Sequence, residues 1–503
     1  FLTDGLAKNG SFYVICTHHE QAAGYAAVAE AQLSETLSLC LVSTGCASTN
    51  CITPVLNAWQ DNLPVIFISG QNVLNETTYY KKAKLRTYGQ QEANIADLVK
   101  PITKFSSMVT CAQDVPNLLE EAITAANSGR KGPVWLDIPL DIQSSRIKDE
   151  NIKPKKQPSG NSLTSKKALK ISESVDSLIN ALSISKRPVI LIGSGIRSSS
   201  TQKDLATFVE LNDIPLVYAA SAVDVYPAGK KLSVGSIGSM GCSRQGAFAL
   251  QNADLILALG TRLGFNSTFY SYENISKSAK IAQIDIDPIA IGRYFPIELG
   301  IQNDVKIFLD QLNSQLKGKT LKSNHLDWVN SFLKKKIEYY KKRDENADTN
   351  SKIIQPSGLF KELRNIIPKG SSITLDAGTL CLQATDEFNF FEPKSLFTPL
   401  DFGLVGFSFA AGLGVKLAKP NSQVFSLMGD GGFGMTVSEL STAVHHKINT
   451  ITIVMNNKSW GAEKAYQRDF YDQRYIGADI NSPPFHKLAE IYGAKGYHVF
   501  ELK

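Results

Sequence analysis

Residues 424–458 read VFSLMGDGGFGMTVSELSTAVHHKINTITIVMNNK. Val424–Met428 is an apolar run with the length of a buried strand. Gly429-Asp430-Gly431-Gly432 then breaks the pattern. Thr436–His446 follows, with Val437, Leu440 and Val444 at helical spacing, and a β-branched run, Ile451–Met455, ends at Asn456-Asn457. Strand, glycine turn, helix and strand make a βαβ unit, with a right-handed crossover and parallel strands expected. If the two strands are neighbours, Asp430 and Asn457 leave the same carboxyl edge of the sheet. Ligands of open α/β sheets bind at that edge.

The chemistry follows from the placement. Glycines let backbone N–H groups approach an anion at a helix N-terminus. Asp430 offers a hard carboxylate and Asn457 a hard amide oxygen. Magnesium takes such ligands, few in number, with phosphate oxygens completing its shell. The expected guest is a diphosphate with a divalent cation. The plainer reading is an ordinary βαβ turn with solvated polar ends.

The chain has 503 residues, enough for about three domains. Charged residues are 20% of the chain and apolar ones 43%, as in a soluble globular protein. The net charge of +6 is spread out, so no basic block points to nucleic acid. No apolar run has the length of a membrane span. Seven cysteines without a C-x-x-C pair suggest reduced thiols and a cytoplasmic setting, and no structural zinc site is visible. The first residue is Phe1 and the chain stops soon after the apolar run near Val499, so both ends read as incomplete.

Taken in order, the chain gives an α/β class with three doubly wound parallel-sheet domains, at 1–146, 168–316 and 352–503. In the first, Phe12–Cys16, Leu37–Ser43, Pro64–Ser69 and Val134–Ile138 read as strands, and Ala22–Gln32 as a buried helix. Ser144–Lys167, rich in Lys, Pro, Ser and Asn, reads as an exposed linker. In the second, Val189–Ile192 leads into Gly193-Ser194-Gly195, Leu255–Leu259 into Gly260-Thr261-Arg262, and Ala282–Ile286 into Asp287-Pro288. This pattern accommodates a nucleotide, or is purely structural, since a full G-x-G-x-x-G is missing. Trp328–Lys342 is a basic amphipathic stretch, read as a surface helix with Trp328, Phe332, Ile337 and Tyr340 inward. The third opens near Gln355, with Ser372–Leu375 leading to Asp376-Ala377-Gly378 and a glycine-rich helix at Gly403–Leu417.

His18-His19-Glu20-Gln21 opens the buried helix of the first domain. A carboxylate in such alanine-rich surroundings is expected to favour its protonated form, which suits a group sharing a proton with a ring nitrogen. Read alone, Glu20 is more often a first-turn carboxylate favouring the helix dipole.

Together these segments resemble the acetolactate synthase / pyruvate oxidase family of thiamine diphosphate enzymes. HHEQAAGYAAVAEA, STGCASTN, LPVIFISGQ, RTYGQQEANIADLVKPITK, GPVWLDIPLDIQ, ALGTRLG, IDIDP and GDGGFG…MNN match in order over nearly the whole chain. The resemblance implies thiamine diphosphate and Mg2+ as cofactors. It assigns the metal to Asp430, Asn457 and the Ser459 carbonyl, and the cofactor to Gly429, Gly431, Gly432, Phe433, Val405, Asp376, Thr379, Gly45 and Asn50. Val405 stands where many relatives have Met. Glu20 is the expected partner of the aminopyrimidine N1′, so that the cofactor becomes a carbon nucleophile. His18, His19 and Gln21 are further catalytic candidates, and Gln71 and Gln91 candidates to hold substrate; the histidines are also readable as satisfied side chains. The family fold brings the first domain of one subunit against the third domain of another. A homodimer or homotetramer with sites at its subunit interface is therefore expected.

Two signals within the family diverge. The early segments resemble acetolactate-synthase-like proteins of sugar and lipopolysaccharide pathways. Trp460–Lys464 with DFYDQRYIGADI, and GTRLGFNSTF, resemble sulfoacetaldehyde acetyltransferase. Arg262 keeps the arginine of FAD-binding synthases, but the acids that follow it there are absent, which leaves FAD weakly supported. The leading expectation is a carbon–carbon lyase/ligase that decarboxylates a 2-keto acid, pyruvate, and transfers the two-carbon unit to an aldehyde or ketone. One alternative is an acetyltransferase that releases sulfite and forms acetyl phosphate. Another is a non-catalytic nucleotide-binding relative.

Overall fold

Among the described residues, fourteen short strands fall into three sheets. The structure, a computed structural model, describes residues 1–147, 165–238, 243–264, 267, 275, 276, 278–321, 325–388, 392–399 and 401–502. Most of the expected linker, and part of GTRLGFNSTF, lie outside these residues.

The first sheet contains β1 (Ser38–Val42), β2 (Val65–Gln71), β3 (Phe105–Met108) and β4 (Val134–Pro139), in the order β1-β2-β4-β3. The second contains β5 (Pro188–Ile192), β6 (Leu216–Ala219), β7 (Ser233–Ile237), β8 (Leu255–Leu259), β9 (Lys280–Asp285) and β10 (Leu299–Gln302), in the order β10-β9-β8-β5-β6-β7. The third contains β11 (Ser372–Leu375), β12 (Leu396–Phe397), β13 (Val424–Gly429) and β14 (Ile451–Met455), in the order β12-β11-β13-β14. The described strand pairings are parallel. Strands β4, β5 and β8 are buried along their whole length, as expected where helices cover both faces. The fold is three parallel-sheet α/β domains.

Internal contacts divide the chain into two compact units. One holds Phe1–Asn161, Leu404–Lys458 and Ile480–Gly496; the other holds Ser162–Gly403, Ser459–Asp479 and Tyr497–Lys503. In the first, the Glu20–Ser34 helix lies on the Phe407–Ala418 helix. A Cβ on Gly414 would stand 2.2 Å from the Ala26 carbonyl oxygen, so glycine there is what permits the approach. The Tyr25 and Phe407 rings meet edge-on at 5.5 Å.

In the second unit the two glycine turns pack against each other. A Cβ on Gly193 would lie 2.5 Å from the Gly260 carbonyl oxygen, and one on Gly195 2.6 Å from the Gly260 Cα. Mutual backbone approach accounts for these glycines. Asp224 is buried, pairs with Arg197 and accepts the backbone N–H groups of Ser395 and Leu396.

Four expectations change. Phe12–Cys16 is not a strand: it has no ladder partner, and Phe12, Tyr13 and Val14 are exposed. The glycine turn is itself helical, Asp430–Thr436, and the next helix runs only over Glu439–His445. Helix Leu326–Asn346 buries Trp328 and Phe332, but Ile337 is exposed and Lys336 is buried instead. The Lys336 ammonium reaches the carbonyls of Ala228, Lys230 and Ser233 at 3.1, 3.1 and 2.6 Å, which is why a charge displaces an isoleucine from the interior. The glycine-rich helix starts at Phe407 rather than Gly403, because Gly406 takes a left-handed φ of 86° and caps it.

Candidate active site

β13 and β14 are neighbours and parallel, with Gly429 opposite Met455. Asp430 and Asn457 therefore leave the same edge, as the spacing requires. Asp430 is 2% exposed. Its Oδ2 accepts from the Ser482 hydroxyl, while Oδ1 is buried without a hydrogen-bond partner among the described residues. A buried carboxylate oxygen left so costs about 1–3 kcal/mol or more, and a cation ligand is what such an oxygen suits. Gly432 is buried and Gly431 half-buried behind it. The Phe433 ring is in the core, edge-on to Phe409 at 5.4 Å and to Phe485 at 5.1 Å. It was expected among the cofactor contacts; its side chain is used for packing instead. Ser482 was not anticipated, because its distance along the chain from Asp430 leaves no spacing to read.

Val405 is half-buried just before Gly406, whose own Cβ would stand 3.0 Å from the Met435 Cβ. In the other unit, Asp376 is buried after β11, Thr379 opens the Thr379–Glu387 helix, and Ser459 is buried and bridges Asp479.

Glu20 is the first residue of the Glu20–Ser34 helix. Asn50 Nδ2 donates to its Oε2 at 3.0 Å, and the Cys51 thiol donates to its carbonyl at 3.3 Å. The Asn50 bond holds the Glu20 carboxyl below its ordinary range; partial burial opposes this and loses. The expected preference for the protonated form is thus corrected: alanines surround the helix, but the acid sits at its open end beside an amide donor. Contact with the Cys40 thiol, together with burial, pushes the Cys51 thiol up, so it remains a donor.

The residues before Glu20 are fixed at many points. His19 caps the helix, its Nδ1 accepting from the Gln21 N–H at 3.1 Å. Its carbonyl accepts from Ala22 and Ala23 N–H and from the Thr17 hydroxyl. Its own N–H donates to Glu439 Oε1 at 2.9 Å, and the His18 N–H donates to Glu439 Oε2 at 3.1 Å. Glu439 is fully buried and also accepts from the Thr442 hydroxyl at 2.7 Å. Ordering two residues costs about 1–2 kcal/mol each, and a hydrogen bond to a charged acceptor contributes about 1.5–3. The tether offsets the entropy. Glu439 escaped the sequence reading because its partners, the N–H groups of His18 and His19, lie far away along the chain.

Gln71 is 5% exposed at the end of β2. Its Nε2 donates to the Ala93 carbonyl at 2.9 Å and to Asp137 Oδ2 at 3.0 Å, and its Oε1 accepts from Thr44 Oγ1 and Asn72 N–H. Two donors and two lone pairs are all that an amide has. Gln71, expected to hold substrate, is thereby committed inside the protein. Gln91 is exposed with φ 58°, and its carbonyl oxygen would stand 2.2 Å from a Cβ on Gly45. Gly45, with φ 63°, is needed for that approach. Asp137, also unforeseen, accepts from Ser69 as well as Gln71, and Trp135 Nε1 donates to the same Ser69.

Residues 2–98 match the model of the thiamine pyrophosphate enzyme N-terminal TPP binding domain, residues 175–312 that of the central domain, and residues 376–503 that of the C-terminal TPP binding domain. The chain is 30% identical to the acetolactate synthase large subunit of Haemophilus influenzae over 99% of its own length and 84% of that protein's. It is 28% identical to the acetolactate synthase isozyme 3 large subunit of Escherichia coli, with 99% and 84% covered. Against the large subunit of Lactococcus lactis the identity is 30%, with 96% and 80% covered.

Proposed function

Because the chain belongs to the thiamine pyrophosphate-dependent enzymes, in the acetolactate synthase family, we propose that it decarboxylates a 2-keto acid, pyruvate, and joins the two-carbon unit to an acceptor carbonyl compound. The observation that carries this reading is Asp430 Oδ1, buried and unpartnered at the strand edge that also bears Asn457. That donor set suits a magnesium ion bound with a diphosphate. Asp430, Asn457 and the Ser459 carbonyl would hold the metal, and the backbone of Gly429 to Gly432 would face the phosphates. When bound, thiamine diphosphate supplies a ring carbon that acts as the nucleophile towards the keto carbonyl. Glu20 would be the proton partner of the aminopyrimidine N1′, and the Asn50 hydrogen bond, by holding its pKa down, favours the carboxylate form. A second copy of the chain completes the site in this reading.

Calorimetry with thiamine diphosphate and magnesium tests the binding half. Asp430→Asn is expected to weaken binding by about tenfold or more, since hydrogen bonds and metal bonds to a full charge are lost. Product analysis by mass spectrometry tests the chemistry, with pyruvate and sulfoacetaldehyde each offered with phosphate. Carbon dioxide and a carboligation product from pyruvate are expected. Sulfite and acetyl phosphate from sulfoacetaldehyde, with no product from pyruvate, would overturn the proposal.

A further inference from the structure

We propose that Glu439 is a positioning residue for catalysis, holding Glu20 in place through the backbone of His18 and His19. The inference rests on the reading of Glu20 as the proton-exchanging acid.

Glu439 opens the short helix that follows Asp430–Thr436, between β13 and β14. It is fully buried, and no cation pairs with it among the described residues. A buried carboxylate without a cation persists only if donors surround it. The donors here are specific: His18 N–H at 3.1 Å, His19 N–H at 2.9 Å and the Thr442 hydroxyl at 2.7 Å. Two of the three come from a distant part of the sequence, and they belong to the residues directly before Glu20.

An acid that moved protons would present a lone pair or a proton to a reacting group. Glu439 presents both oxygens to backbone N–H groups, which do not titrate. Its effect is geometric. His19 has its N–H on Glu439, its carbonyl on the helix and its ring on the Gln21 N–H. The next residue, Glu20, therefore starts from a fixed Cα, and Asn50 fixes its other end. Catalytic acids held loosely by an ångström lose rate rather than binding. The same carboxylate ties the edge that bears Asp430 to the segment that bears Glu20 within one chain.

The test is Glu439→Gln, which keeps the shape but turns an NH2 towards one of the two N–H groups. Amide hydrogen exchange read by mass spectrometry is expected to accelerate over residues 17–21, with the rest of the protein unchanged. With thiamine diphosphate, magnesium and pyruvate, kcat is expected to fall about tenfold or more. KM for pyruvate and calorimetric affinity for thiamine diphosphate should stay within about twofold. In a Glu20→Gln background the same substitution should cost nothing further, because its effect runs through Glu20. Unchanged exchange at 17–21, a loss confined to KM or to cofactor affinity, or additive losses in the double variant would overturn the proposal. If Glu439→Gln does not fold, Thr442→Val removes one donor alone and should show the same pattern in smaller degree; a KM effect without a kcat effect would count against it. Full turnover by Glu20→Gln alone would instead sink the reading of Glu20, whatever the exchange data show for the tether.

Discussion

The Asn50 side-chain amide donates to Oε2 of Glu20 at 3.0 Å, joining the Cys46–Asn50 helix to the first turn of the Glu20–Ser34 helix. This bond is the largest influence on the Glu20 carboxyl and lowers its pKa against partial burial. Asn50→Leu removes the largest of the influences that oppose burial, leaving only a backbone hydrogen bond and the neighbouring His19 against it. The Glu20 carboxyl then rises, and the ionised fraction at mildly acidic pH falls. The acid limb of the kcat/KM profile, which reports the free enzyme, is expected to move to higher pH in the variant, with the alkaline limb in place. An unmoved acid limb would show that another group sets it.

Asp137 gives a second, opposite case. Burial pushes its carboxyl up from 3.8 to about 7, against hydrogen bonds from Ser69 and Gln71, and the Glu92 charge adds to the rise. Between these two values the folded chain holds a proton that the unfolded chain has lost. Stability from this group is therefore present at low pH and is lost as pH rises to about 7. Asp137→Asn cannot ionise and lacks that slope. Urea unfolding at about pH 5 and about pH 8 should show the variant gaining on the parent by about 2–3 kcal/mol as pH rises. A constant difference between the two proteins would show that Asp137 is already ionised when folded.

The sequence made the strands and the edge bearing Asp430 and Asn457 legible because local signals carry them. Apolar runs ending in glycine or asparagine mark β13 and β14, and their neighbourhood follows from one βαβ rule. Asp430 and Asn457 were readable for the same reason. Glu439, Asp137 and Ser482 were not. Each draws its meaning from a partner far along the chain, and a lone acid or serine gives no sign of which N–H or carboxylate it will meet. Phe12–Cys16 failed in the other direction: its residues favour a strand, but a strand needs a neighbour and none pairs with it. Ile337 failed because helical spacing is tolerant by one position, and the three carbonyls that call Lys336 inward cannot be seen in the helix sequence.

Lys336→Met tests that last arrangement. Methionine fills the apolar path of the lysine stem but leaves the carbonyls of Ala228, Lys230 and Ser233 without their shared donor. Relief of the buried charge, which pulls the ammonium down to about 8, offsets part of the loss. Buried carbonyls without donors outweigh it, and the net destabilisation is expected on the order of 2–3 kcal/mol. A lower urea midpoint at an unchanged slope would confirm it; equal midpoints would mean that water replaces the ammonium.

Gly414 is the tightest point between the Phe407–Ala418 and Glu20–Ser34 helices. Elsewhere in a helix, Gly→Ala stabilises by about 1 kcal/mol through propensity alone. Here the added methyl would stand 2.2 Å from the Ala26 carbonyl oxygen and 2.8 Å from its Cα. Backbone cannot rotate away as a side chain can, so the helices must separate, and overpacking of this kind costs about 1–3 kcal/mol or more. Sterics therefore outweigh propensity, and Gly414→Ala is expected to lower the melting temperature despite its better helix former. Separation would also shift the helix whose first residue is Glu20, so turnover should fall by more than the folded fraction does. Thermal unfolding and kcat measured on the same preparation check both statements. A melting temperature equal to or above that of the parent would show that the two helices are not in contact at Gly414.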